Sequence, residues 1–163
     1  MKRIGILSDT HGYLDPALFS FFENCDEVWH AGDWGEEVAP ALEKFKPIRG
    51  VFGNIDDPKI RSKYPEYLAF NCEGVEVLIT HIAGYPGHYA PAFRKEVEKY
   101  SPQLLICGHS HILRVMKDAQ YNWLLLNPGA CGRHGFQKVN TAVRLIFEEG
   151  KMRDLEVWEQ KRQ

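Results

Sequence analysis

The sequence has no apolar run close to the roughly 20 residues that a membrane-spanning helix needs. It also has no excess of basic residues: 20 lysines and arginines stand against 22 aspartates and glutamates, and the formal net charge is −2. This balance argues against a protein that bulk charge holds on long nucleic acid or on an anionic membrane. A small anionic substrate is not excluded, because a local site can bind it.

Cysteine is scarce: there are four in 163 residues, and no two form a C-x-x-C pair (Cys25, Cys72, Cys107, Cys131). A secretion signal is also missing, because the first apolar stretch, residues 4–7, ends after four residues at Ser8 and Asp9. We therefore expect reduced thiols and a cytoplasmic protein. The length suits one domain, residues 1–163, and no linker, repeat or low-complexity tract divides it.

The first half of the sequence alternates predicted strands and helices. Short apolar runs predict strands at residues 3–7, 27–30 and 48–52. Helices are predicted at 15–24, which Asp15-Pro16 opens, and at 36–45, where apolar residues recur at helical spacing. This alternation is typical of βαβ units with a parallel sheet and predicts an α/β fold.

The second half of the sequence consists mostly of predicted strands. Residues 67–72 and 75–80 form a predicted hairpin around Glu73-Gly74. A helix at 91–100 and a strand at 104–107 come next, and further strands are predicted at 113–117, 123–126, 141–147 and 153–158. We expect this half to form a second, partly antiparallel sheet.

Aspartate, asparagine and histidine side chains follow five of the predicted strands, at the point where each strand ends. The segments are Ser8-Asp9-Thr10-His11, Gly32-Asp33, Gly53-Asn54-Ile55-Asp56, Thr80-His81 and Gly108-His109-Ser110-His111. Ligands of α/β sheets bind outside the carboxyl ends of the strands, so we expect these segments to converge. The glycines before Asp33, Asn54 and His109 are expected to let the chain turn tightly there.

The residue types in these segments suit divalent metal ions. Carboxylate, imidazole and amide oxygen favour ions such as Mn²⁺, Fe²⁺ or Zn²⁺, and a carboxylate such as Asp33 has two oxygens with which to bridge two ions. Each segment alone also has a plain structural interpretation. Asp33 and Asn54 are common helix caps, and His81 is a polar residue at a sheet edge. Three other histidines, His30, His88 and His134, carry no ligand pattern.

Taken together, the segments resemble the motifs of the calcineurin-like metallophosphoesterases: D-x-H, G-D, G-N-[HC]-[DE], a histidine, and G-H-x-H. The small size and the turn Asn127-Pro128-Gly129 resemble the YfcE-type subgroup of small phosphodiesterases, to whose branch the retromer scaffold subunit belongs. This resemblance implies a four-layer α-β-β-α sandwich of two mixed sheets flanked by helices. It also implies two divalent metal ions per chain, with manganese expected first and iron, zinc, nickel or magnesium as alternatives.

The resemblance further assigns roles to individual residues. The ligands of one ion would be Asp9, His11, Asp33 and His111, and those of the other would be Asp33, Asn54, His81 and His109. A hydroxide bridging the two ions would attack a small phosphate ester, and the catalytic set would be Asp33, Asn54, Asp56 and His81. Within that set, Asp56 would orient a neighbouring group.

One position departs from the family pattern. Many relatives have a histidine after the asparagine, where this chain has Ile55, which cannot transfer a proton. We therefore expect a phosphodiesterase whose leaving groups need no protonation. Arg133 and the amides around Gly129 are candidate phosphate contacts, and a solvated loop is the plainer interpretation of Arg133.

The alternative function is a non-catalytic protein-binding scaffold on the same fold. Four aromatic residues near the metal loops, expected to be exposed, would serve either a partner protein or an organic substrate group: Tyr13, Trp34, Tyr85 and Tyr89. A homo-oligomer is left open.

Overall fold

Ten strands form two five-stranded mixed sheets in the computed structural model, which describes residues 1–162. The strands are β1 (Lys2–Leu7), β2 (Glu27–His30), β3 (Ile48–Gly50), β4 (Tyr67–Cys72), β5 (Val75–Thr80), β6 (Leu104–Ile106), β7 (Leu113–Asp118), β8 (Trp123–Pro128), β9 (Val139–Glu148) and β10 (Lys151–Lys161). The first sheet has the order β10-β9-β1-β2-β3, and the second has the order β4-β5-β6-β8-β7.

Each sheet combines three parallel strands with antiparallel neighbours. In the first sheet β1, β2 and β3 run parallel and β3 is an edge strand, while β9 is antiparallel to both β1 and β10. In the second sheet β5, β6 and β8 run parallel, and β4 and β7 are antiparallel neighbours. The carboxyl ends of parallel strands meet at one edge of a sheet, so this arrangement brings the loops after these strands together.

Four short helices cover the outer faces of the sheets: α1 (Pro16–Phe21), α2 (Val38–Phe45), α3 (Pro58–Lys63) and α4 (Pro91–Glu96), the last extended by a 3-10 turn at Val97–Lys99. Asp15 and Asp57 cap α1 and α3 by accepting hydrogen bonds from backbone N–H groups, and a proline follows each cap. Within residues 1–162 no helix is long and apolar enough to cross a membrane.

Three apolar clusters separate four layers. One lies between the two sheets and includes Ile6, Trp29 and Ile79. A second joins the outer face of the first sheet to α1, α2 and α3, and a third joins the outer face of the second sheet to α4 and the 3-10 turn. The expected α-β-β-α sandwich is therefore confirmed.

Glu27 ties the three parallel strands of the first sheet together at their amino-terminal side. Its carboxylate accepts hydrogen bonds from Lys2 Nζ, Trp29 Nε1 and Arg49 Nε, each at 2.9 Å. Burial alone would raise the pKa of Glu27, but these donors outweigh it and lower that pKa to about 2.

The structure corrects two predictions about the fold. The strands predicted at 141–147 and 153–158 exist as β9 and β10, but they belong to the first sheet, because β9 pairs with β1 over the whole range from Lys2 to Ile6. Helix α3 was not predicted at all. Its six residues are too few to show a helical apolar period, and only its Asp57-Pro58 start is a recognisable signal.

Candidate metal centre

The loops after five strands meet at one edge of the sandwich, where the two sheets adjoin. Asp9 follows β1 and its backbone N–H donates to the Gly32 carbonyl after β2, at 3.0 Å. Gly108, after β6, donates to the His81 carbonyl after β5, also at 3.0 Å. The His109 N–H donates to Asp9 Oδ2 at 3.1 Å and so joins the two sheets. The expected convergence therefore occurs, with both sheets contributing.

Six of the seven candidate ligands form two groups that could each hold a metal ion. Within a group, the ligand atoms lie within 4.8 Å of one another. The groups are Asp9 with His11 and His111, and Asp33 with His81 and His109. The seventh candidate, Asn54, lies beside the second group, with its Oδ1 at 3.1 Å from His109 Nδ1.

The carboxylate of Asp33 lies between the two groups. Its Oδ2 is 3.2 Å from His81 Nε2 and 3.5 Å from His11 Nε2. Its Oδ1 accepts a hydrogen bond from the backbone N–H of Ile55 at 3.1 Å, which fixes the carboxylate in this orientation. The Asp33 carboxylate therefore lies close to a histidine of each group, His11 and His81.

Three buried atoms at this edge have no hydrogen-bond partner: Asp9 Oδ1, His11 Nε2 and His81 Nε2. Buried polar atoms are nearly always paired, so three unpaired ones around a common space need an explanation. Divalent cations held by the two groups would satisfy all three. Carboxylate oxygen and imidazole nitrogen are also the donors that borderline divalent ions prefer, so the residues present fit a metal.

The Nδ1 proton of His81 is held by a backbone carbonyl. Its Nδ1 lies 2.7 Å from the Ala31 carbonyl, which can only accept, so Nδ1 carries a proton and, when the ring is neutral, Nε2 offers a lone pair to the site. Burial alone would raise the pKa of Asp9, but His11, His111 and His81 outweigh it and hold that pKa far below its ordinary value. Asp9 is therefore an anion at neutral pH.

Five of the seven candidate ligands have a left-handed backbone, which only a few per cent of non-glycine residues adopt. The φ angles are 54° at Asp9, 45° at His11, 59° at Asp33, 72° at His109 and 64° at His111. Backbone strain of this kind clusters at functional sites, where the surrounding structure enforces it.

The glycines of the motifs have two different roles. Gly32 has a φ of 102° and does permit a turn, as expected. The other two are required for close approach: a Cβ on Gly53 would lie 2.1 Å from Asp33 Oδ1, and one on Gly108 would lie 2.1 Å from Ser8 Oγ. A side chain at either position would displace the groups around the centre.

Asp56 faces backbone donors and not the space between the ligands. Its carboxylate accepts hydrogen bonds from the N–H groups of Asp33 and Trp34 at 2.9 Å, Gly35 at 3.3 Å and Gly53 at 2.7 Å. It therefore holds the Asp33 loop to the Asn54 loop.

The capping alternatives for Asp33 and Asn54 are wrong, because Glu37 and Asp57 occupy the N-cap positions of α2 and α3.

One residue with a positioning role, His30, was missed in the sequence. His30 is fully buried; the Gly32 N–H donates to its Nδ1 at 3.0 Å, so its Nε2 carries the proton and donates to Thr10 Oγ1, also at 3.0 Å. Burial lowers the pKa of His30 to about 3, which keeps it neutral. The position of His30 directly before Ala31-Gly32-Asp33 is the signal that could have identified it.

The expectation of four exposed aromatic residues is wrong for two of them. Trp34 is fully buried, stacks on His30 with ring centroids 3.9 Å apart, and packs in the core beneath α2. Tyr89 is buried too, and its hydroxyl donates to Asp118. The amides around Gly129 are also engaged, because the Gly129 N–H donates to Asn127 Oδ1 and is not available to a phosphate.

Residues 1–150 match the family model of the calcineurin-like phosphoesterase superfamily domain. A protein of Mycoplasma pneumoniae, named probable metallophosphoesterase, is 28% identical to the chain, across 95% of this chain and 96% of its own length. All residues of the candidate metal centre therefore lie within the segment that matches the family model.

Solved structures share the fold. A Thermotoga maritima protein determined by NMR has a TM-score of 0.70 and 26% identity, with 97% of this chain and 100% of that one covered. Vps29 of Entamoeba histolytica, in complex with Zn²⁺, has a TM-score of 0.74 and 14% identity, with 98% of both chains covered. At that identity the likeness to Vps29 shows the fold alone.

Proposed function

Because the chain belongs to the calcineurin-like phosphoesterase superfamily, we propose that it is a metal-dependent phosphodiesterase that hydrolyses a small phosphate ester with two divalent ions. The observation that carries the proposal is the set of unpartnered buried atoms around the Asp33 carboxylate. Two ions held there would neutralise the charge on the phosphoryl oxygens and lower the pKa of a water molecule.

In this proposal the two groups of residues are the two ligand sets. Asp9, His11, Asp33 and His111 hold one ion; Asp33, Asn54, His81 and His109 hold the other. The donors are carboxylate, imidazole and amide, with no thiolate, a set that suits Mn²⁺, Fe²⁺ or Zn²⁺. We propose Mn²⁺ as the first of these to test. His81 contributes through Nε2, since its Nδ1–H is committed to the Ala31 carbonyl. Asp56 is a positioning residue, because its carboxylate contacts backbone N–H groups only.

The preference for a good leaving group follows from Ile55, whereas the preference for a diester rests on the resemblance to the small phosphodiesterases. The Ile55 side chain is 47% exposed beside Asn54 and has no proton to donate. At this exposure Ile55 is not a buried residue that packs beneath its loop. A leaving group that departs as a stable anion needs no general acid, so an aryl or similarly acidic leaving group suits this site.

The test compares bis(p-nitrophenyl) phosphate with p-nitrophenyl phosphate, using the Mn²⁺-loaded protein and the same protein after chelation. We expect faster turnover of the diester, lost on chelation and reduced at least about 100-fold in Asp33→Asn, since even residues behind a metal ligand cost 10–100-fold. Asp26→Asn is the matched control, because Asp26 is exposed and precedes β2 at its opposite end. No turnover by the loaded protein, or full turnover in Asp33→Asn, would overturn the proposal.

A second candidate function is a non-catalytic scaffold for a partner protein. It is favoured by three exposed isoleucines that each follow a candidate ligand: Ile55 (47% exposed), Ile82 (41%) and Ile112 (47%). Exposed apolar residues grouped around a site are typical of interaction surfaces. Complete inactivity of the Mn²⁺-loaded protein on both esters, with two ions bound, would favour the scaffold.

A further inference from the structure

A pocket beside the proposed centre contains three basic side chains and one acidic side chain. Its walls include Arg133, Lys161 and Arg162, together with Tyr13 and Asp15. The Asp15 carboxylate accepts a hydrogen bond through Oδ1 from the Ala17 N–H in the first turn of α1 at 2.9 Å. Three cations beside this one anion leave the pocket with a net positive charge. A local positive charge of this kind contrasts with the net charge of −2 of the whole chain.

Arg133 is held at the mouth of this pocket by an aromatic ring. Its guanidinium carbon lies 3.9 Å from the centroid of the Tyr13 ring. Stacking on a ring leaves the N–H groups at the edge of the guanidinium plane available to an acceptor. Within residues 1–162, no carboxylate forms an ion pair with Arg133, Lys161 or Arg162.

Arg162 forms the back of the pocket and uses only neutral acceptors. It donates to Asn140 Oδ1 at 2.7 Å, to the Gly135 carbonyl at 3.0 Å and to the His134 carbonyl at 2.9 Å. These bonds fix the segment that follows Arg133 against the last strand. Partial burial lowers the pKa of Arg162, as expected for a cation without an anionic partner.

The pocket adjoins the Asp9–His11–His111 side of the centre. The residue before Arg133, Gly132, donates its N–H to the Asp9 carbonyl at 3.0 Å. The residue after it, His134, stacks on the His11 ring with centroids 4.9 Å apart. Tyr13, under the guanidinium, is two residues beyond His11, a span of roughly 7 Å at most.

We propose that this pocket binds a second phosphate group of the substrate, so that the preferred substrate is a small phosphodiester carrying a further phosphate near the reacting one. Arginine recognises phosphate through paired N–H groups and lysine adds a point charge, which is the combination present here. The inference deepens the proposed phosphodiesterase function and rests on it.

The experiment uses two esters that differ in one group. The Mn²⁺-loaded protein is assayed on thymidine 5′-(p-nitrophenyl phosphate) with and without a 3′-phosphate. We expect kcat/KM to be about 10–100-fold higher for the ester with the 3′-phosphate, because one hydrogen bond between charged groups changes binding by a factor of that size. In Arg133→Ala that ratio falls towards one, and Arg133→Lys restores part of it. Arg114→Ala is the matched control, since Arg114, in β7, stacks on Tyr85 at the same distance of 3.9 Å. We expect this variant to keep the full ratio.

Binding to the metal-free protein separates this inference from the hydrolytic function. Calorimetry compares thymidine 3′,5′-bisphosphate with thymidine 5′-monophosphate, and we expect tighter binding of the bisphosphate in the wild type but not in Arg133→Ala. If both esters are hydrolysed equally well and Arg133→Ala binds the bisphosphate as the wild type does, the proposed phosphate-binding role of the pocket is refuted and the proposed phosphodiesterase function stands. If neither ester is hydrolysed but the Arg133-dependent difference in binding persists, the pocket stands and the hydrolytic function is overturned.

Discussion

Asp56 provides the sharpest test of how the centre is held together. Its two carboxylate oxygens accept four backbone N–H groups, from Asp33, Trp34, Gly35 and Gly53. Asp56→Asn keeps the shape of the side chain but replaces one oxygen with an NH₂ group, which cannot accept. Whichever oxygen is replaced, two backbone donors face an amide nitrogen.

The magnitude follows from those two donors. A buried donor without a partner costs about 1–3 kcal/mol, and the two that remain bonded now face a neutral acceptor in place of a charged one. We therefore expect Asp56→Asn to lower the free energy of unfolding by about 3 kcal/mol. For a chain of 163 residues, each kcal/mol shifts Tm by roughly 2–4 °C, so Tm should fall by about 6–12 °C.

The measurement is thermal and urea unfolding of the metal-free protein, with Asp57→Asn as the matched control. Asp57 is the next residue and caps α3 with one hydrogen bond, to the Ile60 N–H at 3.0 Å, so its loss costs no more than about 1 kcal/mol. A loss of stability in Asp56→Asn no larger than in Asp57→Asn would refute the argument that Asp56 fastens the two loops.

Four further outcomes are expected. Asp33→Ala should reduce metal content from about two ions per chain towards none by elemental analysis, and full occupancy would contradict its position between both groups. The pKa of His81 and of His111 is raised above the ordinary value of about 6.5, and protonated histidine does not bind metal. The affinity for Mn²⁺ should therefore already fall between pH 8 and pH 6, and an affinity that is constant over this range would argue against histidine ligands. Glu27→Gln should lower the free energy of unfolding, measured with urea at pH 7, by about 3 kcal/mol, because the pKa of Glu27 is about 2 in the folded protein and 4.5 in the unfolded chain. This difference in stability should disappear as the pH falls from about 4.5 to 2, and a difference independent of pH would contradict the prediction. Ile55→His should raise turnover of alkyl diesters more than of aryl diesters, and an equal effect on both would exclude a missing general acid.

Most elements of the fold follow from local patterns in the sequence, but their pairing does not. The hairpin of β4 and β5 has the predicted bounds, because a two-residue turn fixes both its register and its partner. β9 contains an equally clear apolar pattern, yet its partner β1 lies more than 130 residues earlier in the chain. Nothing in the residues of β9 itself distinguishes the two sheets, which is why its assignment failed.

The ligand candidates could be predicted because they stand in short motifs at strand ends. Asp9, Asp33 and His81 each follow a strand directly or within three residues. The signal is weaker for the residues that position them: His30 stands before Ala31-Gly32-Asp33 but acts through contacts with Gly32 and Thr10, which belong to different loops. Such roles depend on tertiary contacts, which the sequence does not show directly.

The left-handed backbone conformations link the candidate ligands to the residues that position them. A residue other than glycine costs roughly 1 kcal/mol in this region, and five of the seven candidate ligands adopt it, against a net stability of about 5–15 kcal/mol for a typical domain. Aspartate and histidine are among the types that tolerate the conformation best, so the residues that suit a metal also suit the strained loops. The remaining cost must be met by contacts that fix each loop, such as the Asp56 carboxylate on four N–H groups and the Ser8 hydroxyl on Asp9 at 2.7 Å. The buried polar network is therefore what keeps the ligand atoms facing one another, and weakening it should harm the centre before it harms the sheets.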